Sequence, residues 1–129
     1  MKTKTLLLIL ASLVAGTAVA QQPKVVPLLS KELGEIPGKE GLMIVVEYPP
    51  GGSDPVHRHN AHGFIYVLEG SVVMQVKGGK PVTLTRGQTF YESPDDEHVV
   101  GRNASSNKPA KFLVFLVKDK GAPALVPIK

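Results

Sequence analysis

A chain of 129 residues is long enough for one compact domain and too short for two ordinary ones. With no cysteine, a formal charge of +4 at pH 7 and few aromatics, it has no disulfide framework and no nucleophilic thiol. It also lacks the basic run with interleaved aromatics that grips nucleic acid, so no nucleic-acid partner is expected.

The first segment, residues 1–20, reads as a cleaved export signal. Lys2 and Lys4 precede an apolar run from Leu6 to Gly16, interrupted at Ser12, and Ala18-Val19-Ala20 supplies a small-x-small cleavage site. The run falls short of the roughly 20 residues that span a bilayer. The expectation is a mature chain starting at Gln21, exported to the periplasm or secreted, with no stable membrane anchor. Residues 21–40 follow as an N-terminal arm carrying the apolar patch "VVPLL" and the segment "SKELGEIPG", read as one short helical turn capped by Ser30. The arm is expected to lie loosely over a sheet edge. Exchange between subunits is the alternative.

From Leu42 onward, short β-branched and apolar runs alternate with turn residues, and no 3.6-residue period persists. The runs are "LMIVVEY", "FIYVLE", "SVVMQVK", "PVTLTR", "TFYE", "HVVGR" and "KFLVFLV", which predicts about seven strands, the pattern of an all-β sandwich or barrel. The domain is placed at residues 41–119. The tail, 120–129, is apolar and punctuated by proline, and is expected to pack along an edge. Tyr66 is expected in the core, as strand aromatics usually are.

The chemistry concentrates in the histidines. His57 and His59 are two apart, so in extended backbone both rings leave the same face, as a chelating pair requires. By itself such a pair on a surface strand is more often just solvated. His98, behind the polar loop "SPDDEH", opens a later strand that an antiparallel barrel can bring opposite the first pair. Three neutral imidazoles would suit a divalent transition metal and leave positions open for water or substrate.

Gly51, five residues, His57-x-His59 and then "GFIYVLEG" resemble the first motif of the cupins; Gly87, "QTFYES", Pro94, His98 and Asn103 resemble the second. The resemblance implies a single antiparallel β-barrel of jelly-roll type, often a homodimer, with one divalent metal (Fe, Mn, Zn, Ni or Cu) held by His57, His59 and His98. The chain departs from the motif at Gly63, where many cupins place a glutamate or glutamine ligand. Aspartates Asp95 and Asp96 stand where the second motif has glycine after Pro94, and the spacing from Gly87 to Pro94 is one residue longer than the common form.

Three neutral ligands leave the charge of a divalent ion uncompensated, which favours a nearby anion. His62 is a candidate replacement, although one position before Gly63 it would leave the opposite face of a regular strand. Its alternative is a residue at the cavity rim. Glu92 is read either as fourth ligand or general acid/base, or as a rim charge bonded to loop backbone. Arg58 should point away from the metal, Glu97 and the aspartate pair should be solvated, and the sequon at Asn103 is of a kind that arises by chance.

The leading functional expectation is an exported metal-binding cupin acting on a small organic molecule by Lewis-acid or dioxygenase-type chemistry. Oxygenase, isomerase and lyase activities all fall within it, so whether the chain is an enzyme stays open. The alternative from another class is a barrel that binds or senses a small molecule or metal without turnover. A metal-free structural cupin is the third.

Overall fold

The computed structural model describes residues 21–129; the export signal read in residues 1–20 lies outside them. Among the described residues there are ten strands: β1 (Lys24–Glu32), β2 (Lys39–Tyr48), β3 (His57–Arg58), β4 (His62–Glu69), β5 (Ser71–Val76), β6 (Val82–Thr85), β7 (Thr89–Glu92), β8 (His98–Asn103), β9 (Ala110–Asp119) and β10 (Val126–Pro127). Among the described residues none is helical.

The strands form two five-stranded antiparallel sheets, a larger one built of the longer strands, ordered β1-β2-β9-β4-β7, and a smaller one ordered β10-β3-β8-β5-β6. Among the described residues no backbone ladder joins one sheet to the other. They face each other as a jelly-roll barrel whose two layers bury a common core.

Alternation along the strands builds that core. In the larger sheet Ile44, Val114 and Ile65 lie in one cross-strand row, and Val46, Phe112 and Val67 in the next, all turned inward. Val72, Met74 and Leu84 close the layer from the smaller sheet. Next to this apolar slab, Asn103 is buried and acts as a staple. Its amide donates to the carbonyls of Pro49 and Lys108, at 3.1 and 2.7 Å, and its Oδ1 accepts the Ser105 N–H. A sequon whose asparagine is occupied in this way presents no acceptor amide at the surface.

Two expectations need correcting. Ser30 caps no helical turn: Lys24–Glu32 is a nine-residue edge strand paired along β2, because a full ladder with β2 satisfies more backbone groups than one isolated turn. The chain turns only afterwards, where Ile36 N–H donates to the Leu33 carbonyl. Tyr66 is outside the core at 45% exposure; Ile65 and Val67 take the inner face instead. In "FIYVLE" every position but the last is apolar, so hydrophobicity alone does not choose the inward set.

Candidate metal centre

His57 sits on β3, opposite His98 on β8, so the pairing of two short strands of the smaller sheet brings these rings together. His59 follows two residues later on the same side. Asn60 then adopts a left-handed conformation (φ 50°), a turn that Asn tolerates better than most residues, and the chain passes to β4 in the larger sheet. His98 owes its inward aim to a bulge. The register of β8 against β5 slips between Gln75 and Val76, so that His98, Gly101 and Asn103 are all buried and simple alternation is broken.

Glu92 enters from the other layer. It ends β7 directly opposite Gly63 on β4. A Cβ placed on Gly63 would lie 3.7 Å from Glu92 Oε2, so the carboxylate occupies the space beside the position from which the first motif usually supplies its acidic ligand. The side chain missing at Gly63 is replaced in space by one from the neighbouring strand.

His57, His59, Glu92 and His98 each offer a ligand atom, and these atoms lie within 4.8 Å of one another. His57 Nδ1 donates to the Pro55 carbonyl at 2.8 Å and His59 Nδ1 to the Ala124 carbonyl at 2.6 Å; a carbonyl can only accept, so both Nδ1 atoms carry the proton. In the neutral rings both Nε2 atoms are then bare lone pairs, and they face each other 3.1 Å apart. That contact requires a cation between them, either a proton on one ring or a metal ion.

Glu92 Oε2 is 3.4 Å from His59 Nε2, and Oε1 is 3.0 Å from His98 Nδ1. The second approach lacks hydrogen-bond alignment, and both nitrogens of His98 are buried without a hydrogen-bond partner. Orphaned buried nitrogens of this kind are costly, and metal coordination would satisfy one of them. Three imidazoles and one carboxylate therefore fit a divalent transition metal in donor type, convergence and charge.

The electrostatics of the cluster point the same way. Burial works to raise the Glu92 carboxyl, but the His59 and His98 rings outweigh it and hold it down at about 2. Burial tends to lower His59, while its contact with Glu92 raises it above the ordinary histidine value. His57 is lowered, chiefly by burial. A carboxyl held ionised throughout the neutral range is suited to ligation and poorly matched to general acid catalysis.

His62 is elsewhere. It is exposed at the start of β4, where its Nδ1 hydrogen-bonds with the Tyr91 hydroxyl at 2.7 Å, and it does not belong to the converging group. Odd-even alternation separates it from Gly63. Arg58 points away from the cluster and pairs with Glu97 at 2.6 Å; Lys77 also reaches Glu97, at 3.0 Å, so this glutamate is engaged rather than simply solvated.

Around the cluster lies a cavity of about 90 Å³ with apolar walls, among them Ile44, Val46, Ile65, Met74 and Val114. Asp54 also lines it, a residue that neither motif singles out. The fully buried Tyr48 donates its hydroxyl to Asp54 Oδ2. Burial first, and the adjacent Asp54 second, push the Tyr48 hydroxyl far above its usual range, so it stays a neutral donor. Only a turn-like "GGSDP" marks Asp54 in the sequence. Its partner is buried in a strand six residues earlier, a link the sequence does not display.

The Cupin domain family matches residues 44–116, and the chain belongs to the cupin family. Similar solved structures include an uncharacterized conserved protein with a double-stranded β-helix domain from Klebsiella pneumoniae, 17% identical, TM-score 0.65, covering 87% of this chain and 90% of that one. Another is an oxalate oxidase in complex with the substrate analogue glycolate, 22% identical, TM-score 0.62, covering 88% of this chain and 57% of the other. A third is the DMSP lyase DddQ from Ruegeria pomeroyi, 24% identical, TM-score 0.59, covering 67% of this chain; the match spans only 42% of the lyase. At these identities the likeness shows the fold alone. No match is found among curated proteins.

Proposed function

We propose that this cupin binds one divalent transition metal through His57, His59, His98 and Glu92 and uses it to hold a small oxygen-bearing organic molecule. The observation that carries the reading is the pair of His57 and His59 Nε2 lone pairs 3.1 Å apart, each with its Nδ1 already committed to a carbonyl. When bound, the metal supplies Lewis acidity or, if it is iron or copper, a place for dioxygen.

The protein's own residues set what such a molecule meets. Glu92 contributes one negative charge beside three neutral rings, leaving a divalent ion with a single uncompensated charge. The apolar walls exclude water and accept hydrocarbon. A cavity of about 90 Å³ is smaller than the ~150 Å³ engineered cavity known to admit benzene, so the ligand is expected to be compact. Asp54, held by the Tyr48 hydroxyl, is the cavity carboxylate free to accept a proton from a bound molecule. That placement favours an enzyme over a passive binder.

The proposal includes export, supported by the leader-like pattern of residues 1–20, and a homodimer, supported by the apolar outer face of the larger sheet. There Phe64, Tyr66 and Tyr91 are 50%, 45% and 48% exposed, beyond what scattered surface hydrophobics require.

Metal analysis of untagged protein tests the reading, with about one equivalent expected in the parent and almost none in His57→Ala/His59→Ala. Equal metal in both would overturn it. With metal established, screening for oxygen uptake or elimination on small oxoacids and phenols, against Asp54→Asn as control, separates turnover from binding.

A further inference from the structure

The site described above leaves one element unexplained: the tail at residues 120–129. We infer that this tail is a working part of the metal centre, with the Ala124 carbonyl choosing which nitrogen His59 offers and Ala124 and Leu125 closing one wall of the cavity. The inference rests on the proposed ligand set.

The tail is fastened at both ends. At its start, the buried Lys118 ammonium pairs with Glu40 and donates to the carbonyls of Asp119 and Ala122. Towards its end, Val126 and Pro127 form β10 against Arg58 and His57, and Ile128 N–H donates to the Val56 carbonyl at 2.9 Å. It therefore runs from β9 of the larger sheet to the edge of the smaller one and bridges a gap that no sheet hydrogen bond closes. Midway, the Ala124 carbonyl accepts from His59 Nδ1 at 2.6 Å, and Ala124 and Leu125 face the cavity.

Without that carbonyl, neutral His59 would be free to place its proton on either nitrogen, and one tautomer has no lone pair directed at His57 and Glu92. The tail removes this choice, as the outer hydrogen bond to a metal-ligating histidine commonly does. It also supports a weakly held segment. β3 has only two residues and meets β8 at the single pair His57↔His98, so β10 supplies the pairing on its other edge. Segments with so few ladder bonds open locally at low cost. Metal binding and tail docking both favour the same closed arrangement, so each strengthens the other by the same factor.

The test compares the full chain with two variants: one that stops at Lys120, and Ile128→Pro, which removes a single tail donor. Nitrogen chemical shifts of the His59 ring in metal-free protein at alkaline pH report the tautomer, and chelator competition reports Zn²⁺ affinity. In the full chain His59 should carry its proton on Nδ1. Truncation should mix the tautomers and weaken Zn²⁺ binding by roughly 10–100-fold, the usual cost of losing such a partner. Ile128→Pro should give a smaller loss in the same direction, and Zn²⁺ should slow exchange of the Ile128 amide in the full chain. An unchanged tautomer and affinity in the folded truncated chain would overturn the inference; should truncation prevent folding, the same result in Ile128→Pro would do so. If the full chain takes up no Zn²⁺, the ligand assignment fails, and the tautomer comparison still decides whether the tail sets His59.

Discussion

The two faces of the larger sheet carry similar apolar residues and have opposite fates. On β4, Gly63, Ile65 and Val67 turn inward to the core and the metal centre, while His62, Phe64, Tyr66 and Leu68 turn outward and are exposed. Most antiparallel sheets with one solvated side show polar residues there. Apolarity on both sides means that packing, not hydrophobicity alone, selects the inner face, and it leaves an outer face that the proposed dimer would cover.

The difference can be broken from either side. The largest stability effect is expected inside: Phe112→Ala, buried between Val46 and Val67, should cost about 3–5 kcal/mol in denaturant unfolding. A loss below about 1 kcal/mol would mean that the inner face is not the close-packed one.

An intermediate effect is expected beside the metal. A Cβ at Gly101 would come within 3.1 Å of His98 Cε1 and 3.0 Å of the Tyr48 hydroxyl oxygen, so Gly101→Ala should displace the ring by a few tenths of an ångström. Zn²⁺ affinity should drop by about tenfold, equivalent to ~1.4 kcal/mol. Fold stability measured without metal should change less.

On the outer face, Phe64→Ser/Tyr66→Ser should leave the stability of the isolated subunit within about 0.5 kcal/mol, as surface substitutions do. The same change should shift sedimentation from dimer to monomer at matched concentration. A parent chain that already sediments as a monomer at high concentration would remove the dimer from the account.

The smallest effect concerns the clip on the far side of β3, where Arg58 and Lys77 hold Glu97 below the usual carboxylate range. A lowered folded value means that this stabilisation is present above the unfolded carboxyl value, near 4.5, and disappears as pH falls through the folded value. Glu97→Gln should therefore lower Tm slightly at neutral pH, and the gap to the parent should close as the medium becomes acidic. A gap that persists in acid would assign the effect to packing instead.

Much of this was legible in the residues themselves. Turn glycines and prolines separate the strands from β2 to β9, and the His57-x-His59 spacing with a later His98 points to convergence before any coordinates. The rest depends on contacts that a linear pattern does not carry. β1 is obscured because "VVPLL", broken by Pro27, and "SKELGEIPG" read as an arm with a capped turn until β2 is available to pair with it. Tyr66 is expected inside because strand aromatics usually are, and its apolar segment does not mark which face turns inward. The carbonyl of Ala124 is a backbone atom 65 positions from the ring it orients, and no residue type advertises it. Glu92 was visible only as a candidate. Its pairing with Gly63 across two strands is what makes it the replacement for the absent ligand.

That replacement is the central claim, and one measurement tests it directly: metal stoichiometry and Zn²⁺ affinity in Glu92→Gly and in the exchanged variant Gly63→Glu/Glu92→Gly. Gly63 has room for a side chain, since an added Cβ meets only ordinary contacts at 3.4 Å or more. The single variant is expected to lose most of its affinity, and the exchanged variant to recover it from the neighbouring strand. Parent-like affinity in Glu92→Gly would contradict the account, because the carboxylate opposite Gly63 would then contribute nothing to holding the metal.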